Sequence, residues 1–385
     1  MSTPERFGIG RTWRATFIDR PNRFLVRCKS RALGTVEAYM PNPGRMWELL
    51  LPGVTLYLEH TPAEGRKTTY TAVAVERDGV PVFLHTHVTN RVAQWLLEER
   101  RVPGLRSAHI VRAEIPVGHS RFDFLLRDRR VDIYLEVKSC TLFGNGVAMF
   151  PDAITERGRR HLIELAELAK GGARSVVLFV VHTPSARYFM PDYHTDLAFS
   201  RTLLDVRKDV RILPLAVTWR KNLTLGNEQE LLNIPWRYID REAQDRGTYM
   251  VVLGFERDEV INVGRLGPLH FRRGYYVYVG SAMAKLSARI ARHRRLRKKH
   301  HWHIDYIRPA AAECEILPIR ASQRYECDLA NALGRILAPG PKGFGSSDCT
   351  CAGHLFFSKA HPLRRRDFHE VLEQFRMRPP SRPKS

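Results

Sequence analysis

The hydrophobic pattern divides most of the chain into a β-rich part and a part that alternates strands with helices. From Phe17 to Phe83, short runs rich in β-branched and aromatic residues are separated by Pro, Gly and charged turns, which predicts a small barrel or sandwich. Beyond them, "RVAQWLLEERRV" and "TERGRRHLIELAELAKGG" have helical periodicity, whereas "HSRFDFLLRD", "RVDIYLEVKSC" and "SVVLFVVHT" have the pattern of strands. This alternation indicates an α/β domain.

A polar stretch separates these parts from a second α/β unit. Residues 222–246 have no sustained apolar face and contain Pro235, so we predict a linker. The chain after residue 361 is basic, and its end, "RMRPPSRPKS", is predicted to be disordered. The predicted domains are a barrel (1–85), an α/β domain (86–221), a linker (222–246), a second α/β domain (247–361) and a basic tail (362–385).

The charge balance points to a polyanionic partner. The 385 residues include 62 Lys and Arg against 40 Asp and Glu, a net charge of +22 that is spread along the whole chain. The sequence has no apolar run of about 18 residues and no signal-peptide core at its start. We therefore expect a soluble, cytoplasmic protein whose partner is nucleic acid, DNA in the first instance, and not a membrane.

The six cysteines are too sparse for a disulfide scaffold, so free thiols or a metal site are expected. "DCTCAGH" brings Cys349, Cys351 and His354 close enough to chelate, with Cys327 as a distant fourth ligand. A structural Zn²⁺ site is one interpretation. The spacing is unlike that of common zinc fingers, and partly buried free thiols beside a Gly-rich turn are the other interpretation.

A first chemical constellation lies in "RFDFLLRDRRVDIYLEVKS". Residues two apart on a strand share a face, so Glu136 and Lys138 point together, away from the face of Ile133, Leu135 and Val137. If "RDRR" is a hairpin turn, Asp123 lies on the adjacent strand and can share one Mg²⁺ with Glu136. A surface hairpin with a solvated Glu–Lys pair is the alternative.

A second constellation begins at "GYYVYVGSA", which predicts a buried strand with Tyr276 and Tyr278 on one face. The basic helix that follows places Arg289, Arg292 and His293 on a common face, where they would bind phosphate. Core packing is the alternative role for the tyrosines.

Further along, "SQRYECDLANALGRIL" places Glu326 on the face of an apolar stripe, where a carboxylate needs either a metal ion or an arginine as its partner. In "HWHIDY", His301 and His303 lie two residues apart on one face of a strand or loop. One of them could protonate a leaving 3′ oxygen or position water, unless both are structural.

Four stretches in the first two domains carry a family resemblance. "MPNPGRMWELLLPG", "FDFLL", "YLEVKSCTL" and "FPDAITERGRRHLIEL" together resemble the sugar fermentation stimulation protein A family. The resemblance implies an N-terminal OB-like DNA-binding barrel and a PD-(D/E)xK nuclease-like α/β domain with Asp123, Glu136 and Lys138 in its active site. Within "NPGRM", Asn42 and Arg45 would border a turn that binds phosphate, or the turn is only structural.

The last α/β domain resembles another family. "GTY" and "YVG" are similar to the paired tripeptides of GIY-YIG nucleases, with Thr248 in place of Ile, and the stretch from "GTYMVVL" to "GFGSSDCTCAGHLFF" resembles their Uri-type branch. The resemblance implies that Tyr249 and Tyr278 lie near the reacting phosphate and that Arg289 contacts its non-bridging oxygens. It also implies that Glu326 is the sole carboxylate ligand of Mg²⁺ or Mn²⁺. The general base stays open among the tyrosines and histidines.

Together these features predict a multidomain α+β and α/β protein that acts as a metal-dependent DNA, or RNA, nuclease with two nuclease-like domains. The alternative is a non-catalytic DNA-binding regulator that uses nuclease-like folds only for binding. The carboxylates favour catalysis, because an acidic side chain that faces DNA weakens the binding of a basic protein.

Overall fold

The computed structural model describes residues 7–62, 64, 65, 67–118 and 120–380. These residues form two compact units, the first made of residues up to 192 and 198–236, the second of residues 193–197 and 237–380. The first unit has two hydrophobic clusters and the second has one. Both units combine sheets with helices, so the predicted multidomain α+β class is confirmed.

The N-terminal part of the first unit is a closed barrel. Its strands are β1 (Thr12–Asn22), β2 (Leu25–Ser30), β3 (Gly34–Tyr39), β4 (Thr55–His60), β5 (Tyr70–Arg77) and β6 (Val80–Phe83). They follow the order β3-β2-β1-β4-β5-β6, and a parallel pairing of β3 with β5 closes the first five. This is the topology of an OB fold. Alternate residues point inward, as Val26 and Cys28 on β2, which are fully buried.

The rest of the first unit is an α/β domain around a mixed sheet. Its elements are α1 (Thr86–Glu98), β7 (His109–Val117), β8 (Ser120–Asp128), β9 (Val131–Cys140), β10 (Leu142–Gly144), β11 (Val147–Phe150), α2 (Glu156–Lys170), β12 (Arg174–Val181), β13 (Tyr188–Pro191), α3 (Leu197–Val206), β14 (Val210–Trp219) and β15 (Leu225–Leu231). The main sheet has the order β15-β14-β12-β9-β8-β7, with β9, β12 and β14 parallel. The strands β10, β11 and β13 form a smaller sheet.

The second unit is built on an antiparallel sheet. Its elements are α4 (Trp236–Glu242), β16 (Gly247–Phe255), β17 (Glu259–Asn262), β18 (Pro268–Phe271), β19 (Gly274–Ala282), α5 (Leu286–Arg294), α6 (His303–Ile307), β20 (Glu313–Arg320), α7 (Glu326–Gly334), β21 (Ala338–Pro339), β22 (Leu355–Ser358) and α8 (Arg366–Arg376). The sheet order is β20-β16-β19-β22-β21. Every residue of β16 is buried, as expected of a strand with neighbours on both sides.

The predicted linker at residues 222–246 is wrong in its structure. It contains β15, which pairs antiparallel with β14, and α4. Leu223 and Leu225 are fully buried in the first unit, and Ile239 on α4 is fully buried in the second. The polar residues between Leu225 and Leu231 lie on a strand at the edge of the sheet, where polar side chains remain in water.

The predicted basic tail also differs from the structure. Residues 362–380 are ordered, and α8 buries Phe368, Val371, Leu372 and Phe375. These apolar residues repeat at helical spacing, so one face of an amphipathic helix packs against the second unit. The second α/β unit therefore continues beyond residue 361. The final residues of "RMRPPSRPKS", 381–385, lie outside the described residues.

The helices of the described residues are of moderate length, and the longest, α2, has 15 residues. Thr155 caps its start by accepting a hydrogen bond from the Gly158 amide at 3.1 Å. None of the helices in the described part of the chain is long and apolar enough to cross a membrane.

Candidate active sites

The hairpin of β8 and β9 carries the predicted carboxylates of the first unit. The two strands pair antiparallel from Phe124–Leu135 to Asp128–Val131, and residues 129 and 130 form the turn, as "RDRR" predicts. Asp123 and Glu136 lie just beyond the Phe124–Leu135 pair, on neighbouring strands.

Glu136 is a buried, charged carboxylate. Lys138 donates a hydrogen bond to its Oε1, and His161 Nδ1 lies 2.6 Å from the same oxygen. Burial opposes ionisation, but the hydrogen bond with His161 and the charge of Lys138 lower the pKa of Glu136. Its Oε2 is also buried and has no hydrogen-bond partner among the described residues. One oxygen of this carboxylate is therefore available to a cation.

Asp123 is coupled to Glu136 by charge. Its Oδ1 accepts a hydrogen bond from Asn90 at 2.6 Å, and its Oδ2 accepts one from the Val137 amide at 2.7 Å. Burial and the negative charge of Glu136 raise the pKa of Asp123 to about 6, although these hydrogen bonds and Lys138 favour the ionised form. A cation between two such carboxylates would relieve their repulsion. The predicted set Asp123, Glu136 and Lys138 thus forms one electrostatic cluster.

Two polar partners in this cluster were not predicted. His161 is 2% exposed and lies on the buried face of α2, so the signal was a histidine at a core position of an amphipathic helix, where it needs a partner. Asn90 on α1 has no comparable signal, because an asparagine on a half-buried helical position is common.

The "NPGRM" turn gives Asn42 a structural role. Asn42 is 6% exposed, its Oδ1 accepts from the Gly44 amide at 2.9 Å, and its Nδ2 donates to the Leu84 carbonyl at 3.2 Å. Its side chain therefore holds the turn, which is the structural alternative for this residue. Arg45 is half-buried, and its guanidinium lies 4.8 Å from the centre of the Trp47 ring. Of the two residues predicted to border a phosphate site, Arg45 is the one that carries a positive charge.

The second unit has a cavity of about 310 Å³ at which most of the other predicted residues meet. Its wall includes Tyr249, Tyr278, Arg289, His301, His303 and Glu326. It also includes Ser281, Trp302, Arg324 and Asp348, which the sequence did not single out. Elements far apart in the chain therefore bring tyrosine, arginine, histidine and carboxylate groups to one space.

Glycines make room for the two tyrosines. The register of β16 and β19 pairs Tyr249 with Gly280, and a Cβ at Gly280 would lie 2.5 Å from the Tyr249 hydroxyl. Gly345 has φ of +73°, and a Cβ there would lie 2.6 Å from the Tyr278 ring. Glycine is therefore required at both positions for the tyrosines to occupy the cavity wall.

Tyr249 is hydrogen-bonded to a buried histidine. Its hydroxyl lies 2.8 Å from His293 Nε2, and His293 is fully buried. Burial, with the nearby charge of Lys298, lowers the pKa of His293 to about 3, while burial raises the pKa of Tyr249 to about 12 in spite of Arg289. Burial also raises the pKa of Tyr278 well above its ordinary value. At neutral pH both tyrosines are phenols, and Tyr249 donates to a neutral imidazole.

The predicted row of phosphate-binding cations on α5 is corrected by the structure. Arg292 makes two hydrogen bonds to the fully buried Asp305, at 3.0 and 2.9 Å, and His293 pairs with Tyr249. Arg289 instead lines the cavity, stacks over Trp302 at 3.9 Å and donates to the Ser281 carbonyl at 3.4 Å. Arg292 and His293 therefore stabilise the site, and Arg289 faces its ligand space.

Glu326 is the first residue of α7, and its side chain is held on both sides. Ser281 Oγ donates to its Oε2, and His354 Nδ1 lies 3.4 Å from its Oε1. Burial opposes ionisation, but His354 and Ser281 lower the pKa of Glu326, so it is charged at neutral pH. Leu329, Ala330 and Leu333 of the predicted apolar stripe are buried.

The two histidines of "HWHIDY" precede and begin α6. His303 Nδ1 accepts a hydrogen bond from the Gly345 amide at 2.9 Å, and burial lowers its pKa. In the neutral ring, the proton then resides on Nε2, which makes His303 a hydrogen-bond donor. The backbone amide of His301 donates to Asp305 at 2.9 Å, which fixes the start of α6.

Cys349, Cys351 and His354 lie beside Glu326, and Cys327 joins them. The ligand atoms of these four residues lie within 4.8 Å of one another. The sequence placed Cys327 as a distant fourth member, and the start of α7 brings it into the group.

Comparisons with known families match three segments of the chain. Residues 18–84 match the SfsA N-terminal OB domain, and residues 87–222 match the sugar fermentation stimulation protein RE domain. Residues 248–377 match a domain of unknown function, DUF123, of the Uri/GIY-YIG-like family. This last match extends through α8.

Curated relatives match just over half of the chain. A sugar fermentation stimulation protein homologue of Methanosphaera stadtmanae is 34% identical over 228 residues, which span 57% of this chain and 94% of the relative. A homologue of Clostridium kluyveri is 38% identical over 197 residues, which span 51% of this chain and 85% of the relative. The solved structure of Pyrococcus furiosus SfsA in complex with Ca²⁺ is similar with a TM-score of 0.56 and 26% identity, and it covers 60% of this chain and 99% of that protein.

Proposed function

The chain belongs to the sugar fermentation stimulation protein family, and we propose that it is a metal-dependent nuclease that hydrolyses phosphodiester bonds of DNA or RNA. One observation carries the proposal: Tyr249, Tyr278, Arg289 and Glu326 line the same cavity in the second unit. A carboxylate that can hold a cation, a fixed arginine and tyrosine hydroxyls around one space fit the hydrolysis of a phosphodiester. The carboxylate cluster of the first unit supports a second site of the same kind.

In the second unit, Glu326 would hold the divalent cation. It is ionised and lines the cavity, and Asp348 adds a second carboxylate to the same wall, so the residues fit a hard cation with oxygen ligands. When bound, the cation would supply neutralising charge for the phosphate in the transition state.

The chain's own residues provide the remaining groups of this site. Arg289 is fixed against Trp302, so its charge is in place before negative charge develops on the phosphate. Tyr249 and Tyr278 keep their protons at neutral pH. Tyr278 would donate its hydrogen bond to the phosphate or to water, whereas Tyr249 donates its single proton to His293 and would contact water only as an acceptor. His303 is suited to donate its Nε2 proton to an oxygen of the leaving group.

In the first unit, Asp123 and Glu136 would hold the cation. The buried Oε2 of Glu136 and the mutual repulsion of the two carboxylates fit a divalent ion. The Pyrococcus furiosus relative was solved with Ca²⁺, which prefers carboxylate oxygens as Mg²⁺ does. Lys138, held by Glu136, would orient water or stabilise the phosphate.

The barrel would bind the nucleic acid. Phe24, at the turn between β1 and β2, is 48% exposed, and its ring stacks with Tyr39 at 6.4 Å and 21°. The face of β2 and β3 is where OB folds bind oligonucleotides, and exposed aromatic rings stack on bases without regard to sequence. This surface favours an unpaired strand as the bound form.

The test is cleavage of plasmid and labelled oligonucleotides by the full chain with Mg²⁺ or Mn²⁺, and then with EDTA. Glu136→Gln and Glu326→Gln are each expected to lower one cleavage activity by more than about 100-fold. Loss of a residue that only orients a metal ligand already costs about 10–100-fold, and loss of the ligand itself should cost more. The double variant should cut nothing and still bind DNA.

Matched controls remove a carboxylate charge from the same elements. Asp132→Asn changes an exposed ion pair with Arg127 on the β8–β9 hairpin, and Asp328→Asn changes an exposed residue of α7. Both should cut like the wild type. If the purified wild type binds DNA and cuts no duplex, branched or single-stranded substrate with either metal, the non-catalytic regulator replaces this proposal.

A further inference from the structure

The second unit gathers three thiols and one imidazole at a single point. Cys327 lies at the start of α7, while Cys349, Cys351 and His354 lie in the segment between β21 and β22. One ligand atom from each residue lies within 4.8 Å of the other three. His354 is 1% exposed, and the three cysteines are partly buried. Three of these ligands are close in the sequence, and the fold adds Cys327 as the fourth.

We propose that Cys327, Cys349, Cys351 and His354 bind one Zn²⁺ ion in a tetrahedral Cys₃His site. Zinc–sulfur bonds of about 2.3 Å and zinc–nitrogen bonds of about 2.0 Å place tetrahedral ligand atoms roughly 3.5–3.8 Å apart. Cys349 Sγ and His354 Nε2 already lie 3.5 Å apart, and the other separations need to close by about 1.0–1.3 Å at most. Thiolate ligands select zinc over Mg²⁺ or Ca²⁺, which prefer oxygen.

The other ring nitrogen of His354 supports this assignment. Its Nε2 faces Cys349, and its Nδ1 lies 3.4 Å from Glu326 Oε1. Histidines that bind metals almost always donate their second N–H to a carboxylate, a carbonyl or water, which fixes the orientation of the ring. Glu326 has this position relative to His354. The carboxylate and the sulfur thus lie on opposite nitrogens of one buried ring.

The same contact links zinc to the cavity, and this step rests on the proposed function. Glu326 is the carboxylate that would hold the catalytic cation, and one of its oxygens faces the ring that zinc would fix. His354 is therefore a positioning residue for Glu326. The zinc site itself requires only the four ligands and stands whether or not the protein is a nuclease.

Metal content tests the site directly. The full chain, purified under reducing conditions without chelators, is expected to contain one zinc per chain. After exchange with Co²⁺, it should show the absorption of tetrahedral cobalt with thiolate charge-transfer bands. Cys327→Ser and Cys349→Ser should lose the metal or bind it far more weakly. Cys314→Ser, a partly buried cysteine on β20 outside the cluster, is the matched control and should keep it.

Two results would overturn the proposal. One is a wild type that, once reduced, takes up no zinc from a chromophoric chelator. The other is an equal loss of zinc in Cys314→Ser and Cys349→Ser. If the serine variants fail to fold by circular dichroism, the chelator competition on the wild type decides alone, because it needs no variant.

Glu326→Gln separates this proposal from the nuclease. The variant should still bind one zinc, about 10–100-fold more weakly, because an amide replaces the charged partner of His354. If the wild type binds zinc and cuts no substrate, the zinc site is supported and the nuclease is rejected. If the wild type cuts DNA or RNA and binds no zinc, the nuclease is supported and the zinc site is rejected. Unchanged zinc affinity in Glu326→Gln would reject the link between the two sites.

Discussion

At the scale of single residues, the contact of Tyr249 with His293 shows how a buried histidine supports the cavity wall. The histidine has no exposed surface, and the three cations around it, Lys298, Arg289 and Arg292, add to the cost of protonating it. Nearby Asp305 favours the protonated form but does not compensate. A neutral ring can accept the hydrogen bond of the Tyr249 phenol, and a protonated ring cannot.

This contact predicts a pH dependence of stability. Because the pKa of His293 is about 3 in the fold against an ordinary 6.5, the unfolded chain binds the proton more readily. Stability is therefore full above about pH 6.5 and falls as the pH decreases toward 3, by about 1.4 kcal/mol per pH unit from this group. Urea unfolding at pH 7 and pH 5 should show about 2 kcal/mol more loss in the wild type than in His293→Gln.

The control for this measurement is His270→Gln, an exposed histidine on β18 of the same unit. It should lose stability between pH 7 and pH 5 as the wild type does. An equal pH response in His293→Gln and the wild type would mean that the fold does not lower the pKa of His293.

The sequence could identify the residues of the cavity but not all of their roles. Tyr249, Tyr278, Arg289 and Glu326 follow from short motifs, because a motif preserves residue type and spacing. The spacing of Arg292 and His293 from Arg289 predicts only a common helical face. This spacing carries no information about residues of other elements. In the structure, Asp305 pairs with Arg292 and Tyr249 pairs with His293.

At the scale of elements, the strands and helices with strong periodicity were predicted and the polar ones were missed. The pattern of "SVVLFVVHT" gives β12 directly, and that of "TERGRRHLIELAELAKGG" gives α2. By contrast, β15 is an edge strand with polar residues in its middle, and its composition is close to that of a linker. In α8, a helical apolar repeat was present in the sequence, but basic residues surround it.

The burial on α8 predicts that this helix is part of the folded second unit. Phe368 is fully buried, so Phe368→Ala should destabilise this unit by about 3–5 kcal/mol, through lost burial and the remaining cavity. Glu370→Ala, at an exposed position of the same helix, should change stability by less than about 0.5 kcal/mol. Urea unfolding of the full chain measures both. If both substitutions change the stability by less than about 0.5 kcal/mol, residues 362–380 do not contribute to the folded unit, as the sequence predicted for a tail.

At the scale of the whole molecule, the proposed binding of nucleic acid predicts two kinds of contact that respond differently to salt. The net charge of +22 is spread along the chain, so phosphate contacts are expected from several regions. Stacking on Phe24 involves no counterions, because a base and a phenyl ring are both uncharged. Their contributions can therefore be separated by varying the salt concentration.

The wild type should lose roughly 300- to 15,000-fold in affinity for a single-stranded oligonucleotide between about 50 and 200 mM salt, if it makes on the order of 6–10 phosphate contacts. Phe24→Ala should weaken binding by about 1–3 kcal/mol at every salt concentration and leave the slope of log affinity against log salt unchanged. Val260→Ala, an exposed apolar residue of β17, is the control and should bind like the wild type. Fluorescence anisotropy measures all three proteins. A flat salt dependence would contradict the phosphate contacts, whereas a reduced slope in Phe24→Ala would mean that this ring positions cations instead of stacking on a base.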